Sequence, residues 1–415
     1  MKKRIADILR NTPFFYYLKK IYNFAIKIIT FFRYIFKINN INKRCEEILK
    51  NSKYDIIDIF YYRFGWKAAS FQRAQHIAVN MSKQNVLMFY AKNSVRDDKA
   101  GIFDKIADNL YLIDIDNPVL MYELLKNIKK YDNKKLFHTC STNILLSLKT
   151  VKKFTRQDFT VLYEYIDEIS PDISGKIPKG FYKLHDYIIN NKDCIVVSSA
   201  AELYNKVHKV RGDNNHIMAC NGVAYEHWQI DENSFEKYTD IKKIADEGKP
   251  IIGYFGALAK WFNYEMYKTA ALRRPQYNFV LIGWLYDDSF IKNGLDKLEN
   301  IRFLGSKNYS VLNEYCTAFT VCTIPFIIND ITLSTSPVKI YEYLAAGKPT
   351  VCTAMPECEK VKDVLIAHSA EEFIDLLDKA VSFSFDGSFK EGLRKTAKEN
   401  TWENRVKDIL KLIRS

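Results

Sequence analysis

The sequence predicts an α/β protein with two doubly wound domains, each built on a parallel sheet. From residue 54 to residue 353, short apolar runs typical of buried strands alternate with helical patterns. The alternation stops at a charged stretch, residues 231–249, and then starts again. Because ligands of such sheets bind beside the carboxyl ends of the strands, we expect the two domains to face each other across a cleft.

Apolar runs bounded by turn residues give the predicted strands in order. In the first half they lie near residues 54–61, 86–90, 110–115, 135–140, 160–167, 194–199 and 216–220. In the second half they lie near 251–256, 279–283, 301–305, 321–325 and 350–353. The stretches 68–83, 119–130 and 181–191 are examples of the helices between them. We predict a basic amphipathic helical segment over 1–52, Rossmann-like domains over 53–228 and 229–399, and a final helix over 400–415 that returns to the first domain.

Charge and cysteine content limit the partners and the compartment. The net charge is +13, but residues 1–50 hold 12 Lys/Arg against three acidic residues, so most of the excess lies there. The rest of the chain has no basic excess of the size that nucleic-acid binding requires, and we expect no nucleic acid as partner. The eight cysteines show no C-x-x-C pair and no zinc-ligand spacing. Buried free thiols are typical of a reducing compartment, so we expect a cytoplasmic protein.

Residues 14–38 combine an aromatic and aliphatic surface with a narrow basic stripe. Polar residues recur every three or four positions, which places them on one face of a helix: Lys20, Asn23, Lys27, Thr30, Arg33 and Lys37. The uncharged runs are far shorter than the roughly 20 residues of a membrane-spanning helix. Such a helix suits the surface of an anionic membrane, and we expect peripheral association with its inner face. The alternative is packing against the body of the protein or a second subunit.

Residues 332–353 predict a helix whose amino end receives an anion. Three hydroxyl residues at 334–336 offer caps, Pro337 suits the first helical position, and Gly347 ends the helix. Phosphate binds readily at the unpaired N–H groups of a helix N-terminus. Lys339 and Glu342 share one helical face and offer a cation for phosphate oxygens and a carboxylate for vicinal hydroxyls. These groups suit a sugar nucleotide; the alternative is an ordinary amphipathic helix with one surface ion pair.

Several segments together resemble the glycosyltransferase family 4, or group 1, enzymes of GT-B fold, closest to the branch of teichuronic-acid and capsule-type transferases. The segments are 71–76 (F-Q-R-A-Q-H), 163–168 (Y-E-Y-I-D-E), 221–223 (N-G-V), 253–258 (G-Y-F-G-A-L), 279–283 (F-V-L-I-G) and 336–349 (S-P-V-K through E-Y to G-K-P). Their order and spacing match across most of the chain. The resemblance implies a GT-B architecture with a sugar nucleotide held mainly by the C-terminal domain.

The resemblance also implies which residues bind the donor. Glu342 matches the second glutamate of the E-x7-E motif, which binds the ribose hydroxyls, and Ser334 stands where the first glutamate is expected. Asp330 in the preceding loop could supply that carboxylate. Lys260-Trp261 replaces the usual Lys-Gly beside the diphosphate, so Lys339 is expected to carry more of the phosphate charge. The donor-binding set is Gly256, Lys260, Trp261, Asp330, Ser334, Ser336, Pro337, Lys339 and Glu342.

Three residues are predicted to take part in the chemistry. Lys339 would stabilise the charge that a leaving diphosphate gains. Asp167 ends a strand at the edge expected to face the cleft, and it could orient an acceptor hydroxyl or take its proton. His138 ends another strand, and it could contact the donor sugar or relay a proton. The alternatives are a strand-end carboxylate that caps the next turn and a core histidine.

Acceptor contacts are predicted for Arg73 and His76, which lie three apart near the start of a helix, and for Glu168 beside Asp167. The alternative is that Arg73 and His76 are simply solvated surface residues. Asp114-Ile115-Asp116 resembles a metal-binding D-x-D motif, but it runs into the turn signal Asn-Pro and we interpret it as coincidence. We expect no metal and no cofactor.

The sequence therefore predicts a metal-independent glycosyltransferase at the membrane surface, acting in cell-surface polysaccharide biosynthesis. Its partners would be a nucleotide sugar, a lipid-linked or glycan acceptor, and an anionic membrane contacted through residues 14–38. The resemblance favours retention of the anomeric configuration. A sugar-nucleotide epimerase on the same scaffold and a non-catalytic glycan-assembly protein are the alternatives.

Overall fold

The structure, a computed structural model, describes residues 34–62, 64–68, 70–92 and 101–415. These residues divide into two compact units. The first comprises the described residues up to Lys67 together with Met81–Leu136, and the second comprises Ala68–Asn80 with Phe137–Ser415. The domain boundaries drawn from the sequence, after residues 52, 228 and 399, stay predictions.

The elements follow one another in alternation along the chain. Up to residue 218 they are α1 (Ile38–Asn51), β1 (Ile56–Phe60), α2 (Arg73–Ser82), β2 (Val86–Ala91), β3 (Phe103–Ala107), β4 (Leu110–Ile113), α3 (Pro118–Ile128), β5 (Lys134–Cys140), α4 (Leu148–Thr155), β6 (Thr160–Tyr165), α5 (Pro171–Ser174), α6 (Lys179–Asn190), β7 (Ile195–Ser198), α7 (Ala201–Arg211) and β8 (His216–Met218).

Three short 3₁₀ turns, Tyr225–Trp228, Ser234–Lys237 and Leu295–Lys297, interrupt the second half of the chain. The other elements there are α8 (Thr239–Ala245), β9 (Ile251–Phe255), α9 (Tyr264–Arg273), β10 (Asn278–Ile282), α10 (Ser289–Lys292), β11 (Ile301–Phe303), α11 (Tyr309–Thr317), β12 (Val321–Ile324), α12 (Asp330–Leu333), α13 (Val338–Ala345), β13 (Thr350–Thr353), α14 (Pro356–Glu359), β14 (Leu365–Ala367), α15 (Ala370–Phe383), α16 (Gly387–Glu399) and α17 (Trp402–Arg414).

In the first unit the strands run in the order β3-β4-β2-β1. The pairs β1·β2 and β2·β4 are parallel, and β3 is antiparallel to β4. Strands β1 and β2 are buried along their whole length, which explains their continuous apolar sequence. Strand β3 is exposed after Phe103. Its mixed composition explains why no strand was predicted there.

The second unit holds two runs of strands. One has the order β5-β6-β7-β8, and the other is a six-stranded parallel sheet with the order β11-β10-β9-β12-β13-β14. In the six-stranded sheet the chain runs outward from β9 on one side and from β12 on the other. The order therefore reverses between β9 and β12, and doubly wound sheets bind ligands at such a switch point.

The predicted fold class, α/β with parallel sheets, is confirmed, and every predicted strand is present. Most are one or two residues shorter than expected, and the three-residue strand β14 was not predicted. Strands β9 and β10 each end just before a glycine, Gly256 and Gly283. Gly256 and Gly283 have φ of 145° and 155°, and a Cβ on Gly283 would lie 1.8 Å from the Gly256 carbonyl oxygen. The two backbones meet too closely for any side chain.

Helix α1 packs against helix α3. It buries Ile41, Cys45, Ile48 and Leu49, and the Asn127 amide in α3 donates to Asn42 Oδ1 at 2.6 Å. Helix α1 follows the predicted membrane-surface helix of residues 14–38, so its packing does not decide between the two predictions for that helix. Residues 14–33 of the expected membrane-surface helix lie outside the described residues. Within the residues that the structure describes, no helix is long and apolar enough to cross a membrane.

The final helix, α17, is joined to the segment after β8. Trp402 N–H donates to the Val223 carbonyl at 3.1 Å, and the Trp402 ring stacks on His76 with centroids 5.0 Å apart. Gly222 faces the backbone at this junction: a Cβ there would lie 2.9 Å from Thr401 C and from Trp402 N. Only glycine permits this approach.

Replacing Gly222 by alanine should therefore destabilise the protein by about 1–3 kcal/mol, because the new methyl group meets backbone rather than a movable side chain. Urea unfolding followed by circular dichroism measures the change as a lower midpoint. Gly180→Ala is the control, since nothing lies within 4 Å of a Cβ at that position in α6 and alanine favours a helix. Equal midpoints for the two variants would contradict the close approach.

Candidate active site

Helix α13 starts at the switch point with its first amides uncapped. The N-cap residue is Pro337, with ψ of 116°, and no side chain accepts from the first turn. The expectation that Pro337 is the first helical residue, capped by the hydroxyls at 334–336, was wrong by one position, because Pro337 is extended and the helix begins at Val338. The prediction that Gly347 ends the helix is confirmed, with φ of 66° after the cap Ala346.

Lys339, in the first turn of α13, points at the strand ends that flank the switch point. Its Nζ lies 5.3 Å from the ring centroid of Tyr254 in β9 and 4.8 Å from that of Phe326, just after β12. A Cβ on Gly256 would lie 3.2 Å from this Nζ. The ammonium group therefore rests on two aromatic faces, held by cation–π attraction, in a space that only a glycine leaves open.

The Lys339 side chain is partly buried, and Glu342 is 5% exposed. Burial lowers the pKa of Lys339 to about 8, with Glu342 acting in the opposite direction. Burial raises the pKa of Glu342 to about 8, and Lys339 opposes that rise. Among the described residues, no carboxylate lies within the 4.0 Å of an ion pair from Lys339 Nζ. A partly buried cation without a carboxylate at ion-pair distance is less favourable than a paired one unless a ligand supplies the anion.

The turn before α13 is held by Asn221. Its backbone N–H donates to Ser336 Oγ at 3.2 Å, and its side-chain amide donates to the Ser336 carbonyl at 2.5 Å. Arg73 donates to Asn221 Oδ1 at 3.2 Å and, through its other terminal nitrogen, to Glu164 Oε1 at 3.2 Å. A buried ion pair in α2 and β6 thus fixes the residue that positions the helix N-terminus.

Asn221 was not among the predicted site residues, although its segment N-G-V carried part of the resemblance. Its signal in the sequence is an amide placed just after an apolar strand. Arg73 is 4% exposed, so it is not the solvated surface residue of the alternative prediction. An acceptor contact for Arg73 stays a prediction.

The two carboxylates after β6 lie in different surroundings. Burial raises the pKa of Asp167 to about 7, against the opposite effect of Arg73. Ser141 Oγ donates to the Asp167 backbone carbonyl at 3.2 Å. Glu168 accepts from Lys206 Nζ at 2.6 Å and from Ser334 Oγ at 3.4 Å. Ser334, at the turn before α13, therefore touches a carboxylate of the opposite sheet.

The other predicted residues lie around this centre in different roles. Lys260 is exposed and pairs with Asp172, and the Trp261 ring packs 5.2 Å from Tyr286. Asp330 is exposed at the start of α12.

Both predicted histidines are buried. His138 is fully buried, with Nε2 3.9 Å from Glu164 Oε2. His76 lies in an aromatic stack, and burial lowers its pKa to about 3, so it is neutral. The contacts predicted for these histidines, and for Lys260, Trp261 and Asp330, stay predictions.

The described residues hold no group of three or more His, Cys, Asp and Glu side chains that could bind a metal ion. In the D-x-D segment, Asp114 Oδ1 accepts from the backbone N–H of Asp116 at 3.1 Å. The eight cysteines are free, and seven are buried as the apolar runs around them predicted. The expectation that catalysis needs no metal stays a prediction.

Parts of the sequence match known glycosyltransferases. Residues 249–382, which include Lys339 and Glu342, match the family model described as glycosyl transferases group 1. TuaH of Bacillus subtilis (strain 168), whose name assigns it to teichuronic acid biosynthesis as a glycosyltransferase, is 26% identical over 234 residues. That alignment covers 54% of this chain and 57% of TuaH, so the chain spans little more than half of this relative.

Solved structures show the same fold at low sequence identity. Anabaena HepE in complex with UDP-glucose has a TM-score of 0.63 at 11% identity, over 86% of this chain and 99% of HepE. WaaG, a glycosyltransferase of lipopolysaccharide biosynthesis, has a TM-score of 0.57 at 12% identity, over 85% and 98%. The protein therefore has the GT-B fold. Its residues 249–382 resemble a group 1 glycosyltransferase domain.

Replacing Lys339 by methionine should stabilise the ligand-free protein at pH 7 by about 1–2 kcal/mol, because it removes a partly buried cation that has no carboxylate of the described residues within ion-pair distance, at similar side-chain length. The folded-state pKa of Lys339 is lower than the unfolded value of 10.5. The penalty is therefore complete below pH 8 and is relieved as the pH rises through 10.5. Unfolding midpoints of both proteins from pH 7 to 10.5 test this, and a variant less stable than the parent at pH 7 would contradict it.

Proposed function

We propose that this protein transfers a sugar from a nucleoside-diphosphate sugar to a lipid-linked or glycan acceptor in cell-surface polysaccharide biosynthesis. The observation that carries the proposal is the partly buried Lys339 ammonium, with no carboxylate of the described residues within ion-pair distance, beside an uncapped helix N-terminus at a switch point. This place suits a diphosphate. The UDP-glucose bound by HepE and the role in TuaH's name support the donor and the pathway class.

In this proposal the donor lies along the amino end of α13. The first-turn amides and Lys339 bind the diphosphate, while Ser336 shapes the turn through Asn221. Glu342, one helical turn further from Lys339, binds the ribose hydroxyls. Burial raises the pKa of Tyr309, and Glu342 adds to that rise, so this ring lies close to the carboxyl group. The base would extend toward this aromatic side of the site.

Transfer breaks the bond between the anomeric carbon and the diphosphate, and the leaving group gains negative charge. Lys339 and the amides of α13 are aimed at that charge, so they stabilise the transition state more than the bound donor. Loss of one such group typically costs about 2–4 kcal/mol of transition-state stabilisation. We propose retention, with the acceptor oxygen bonding the anomeric carbon on the face that the diphosphate leaves.

Asp167 would act on the acceptor hydroxyl. It comes from the carboxyl end of β6, and its neighbour Glu168 touches Ser334 at the start of the donor segment. Burial raises the pKa of Asp167 to about 7, which suits a group that takes a proton near neutral pH. We expect no metal in this scheme, because a lysine and helix amides supply the positive charge.

The proposals for the acceptor and for the location depend on residues 14–38. An aromatic helix with a basic stripe would hold the protein at the cytoplasmic, anionic face of a membrane, where lipid-linked acceptors lie.

Titration calorimetry with UDP, GDP and their glucose, galactose and mannose derivatives tests the donor site. We expect binding to the parent protein and loss of at least tenfold in affinity for Lys339→Met. Lys348→Met is the matched control, since Lys348 lies just beyond α13, also has a pKa lowered by burial, and donates to the Thr317 carbonyl at 2.8 Å. Sugar transfer is then followed with and without membrane lipid extract in the presence of EDTA. If no sugar nucleotide binds and none is turned over, the proposed function fails.

Nucleotide affinity should weaken about tenfold between pH 7 and pH 9, because Lys339 must regain its proton to bind a diphosphate above its pKa of about 8. Ionisation of Glu342 over the same range acts in the same direction. Calorimetry with UDP across this range measures the slope. Lys348→Met should keep the slope and Lys339→Met should reduce it to the part that Glu342 contributes; an unchanged slope in Lys339→Met would show that another group titrates.

A further inference from the structure

Glu168 lies where the two sheet edges of the second unit meet. It follows β6, and its Oε2 accepts from Ser334 Oγ at 3.4 Å across 166 positions of sequence. Lys206 Nζ donates to the same oxygen at 2.6 Å, and the Tyr165 hydroxyl donates to Oε1 at 3.5 Å. The side chain is 23% exposed. It is thus fixed by three donors while part of it stays accessible.

The donor segment has no carboxylate of its own at this turn. Between Pro325 and Ala345 the only acidic residues are Asp330 and Glu342. Asp330 is exposed in α12, and Glu342 lies one turn beyond Lys339 on the other side from Ser334. Ser334 itself is 1% exposed. The carboxylate that reaches the turn before α13 is therefore the one that Glu168 brings from the opposite sheet.

We propose that Glu168 binds a hydroxyl group of the sugar that is transferred, so that the sugar is recognised by the opposite sheet and the diphosphate by α13. This rests on the proposed function. A sugar joined to a diphosphate at Lys339 must leave the helix N-terminus toward the turn at Ser334 and the end of β6. An ionised carboxylate only accepts hydrogen bonds and offers about four acceptor sites, so one stays open on Glu168 Oε1 beside its three donors. Lys206 and Tyr165 fix its orientation, which makes the recognition selective.

The proposal differs from the acceptor contact that the sequence predicted for Glu168, and it separates donor-sugar recognition from nucleotide recognition. Removing a hydrogen-bonding partner of a buried hydroxyl leaves that hydroxyl unsatisfied, which weakens binding strongly. The effect should appear only with ligands that carry the sugar.

Calorimetry on Glu168→Gln tests this with the nucleoside diphosphate and nucleotide sugar that the parent protein binds. We expect affinity for the nucleoside diphosphate to change less than twofold and affinity for the nucleotide sugar to fall at least tenfold. A deoxy-sugar nucleotide lacking the contacted hydroxyl should bind parent and variant alike, which a merely structural role would not produce. Glu202→Gln is the matched control, since Glu202 is the other carboxylate near Lys206, at 3.8 Å.

Exchanging the residues at positions 168 and 334 tests the role of the carboxylate more directly. Glu168→Ser should lose the sugar contribution, and the double variant Glu168→Ser/Ser334→Glu should recover it at least partly, because a carboxylate returns to the same place from the other side. Equal weakening of both ligands, or an effect confined to the KM for the acceptor, would overturn the proposal and leave the transferase function standing. If the parent binds neither ligand, the proposed function has failed first.

Discussion

The site depends on one unsatisfied charge. Lys339 places its ammonium between the faces of Tyr254 and Phe326, beside the bare backbone of Gly256, and no carboxylate among the described residues neutralises it. The six-stranded sheet makes this possible, because the reversal of strand order between β9 and β12 opens a crevice at their carboxyl ends. The amides of α13 add to the positive potential there. Such a charge suits the anion that we propose it binds.

The strand run β5-β6-β7-β8 contributes to this centre through contacts that also fix helix α13. Arg73 and Glu164 form a buried ion pair, and Arg73 positions Asn221, which holds Ser336 at the turn before α13. Breaking a buried pair of this kind by removing one partner typically costs about 3–5 kcal/mol, because it leaves an isolated charge. Side chains far from α13 in sequence therefore determine how well the N-terminus of this helix is placed.

The sequence was sufficient to predict the fold class and the helix that we propose binds the anion. Buried parallel strands read as apolar runs, and the run Ser-Pro-Val-Lys followed by Gly347 marks both ends of α13. Sequence reasoning missed strand β3, whose exposed residues carry no pattern, and it placed Pro337 one position inside the helix. It also did not identify Asn221 as a positioning residue or the contact of Glu168 with Ser334. Those contacts join residues more than 100 positions apart, and no local spacing encodes them.

The central claim is that the amino end of α13 and Lys339 receive a diphosphate. A crystal structure of the protein grown with UDP tests it most directly. The account predicts a phosphate oxygen within hydrogen-bond distance of Lys339 Nζ, roughly 2.7–3.2 Å, and of at least one first-turn amide of α13, with the ribose against Glu342. A diphosphate bound elsewhere, with Lys339 still resting on the two aromatic rings, would contradict the account.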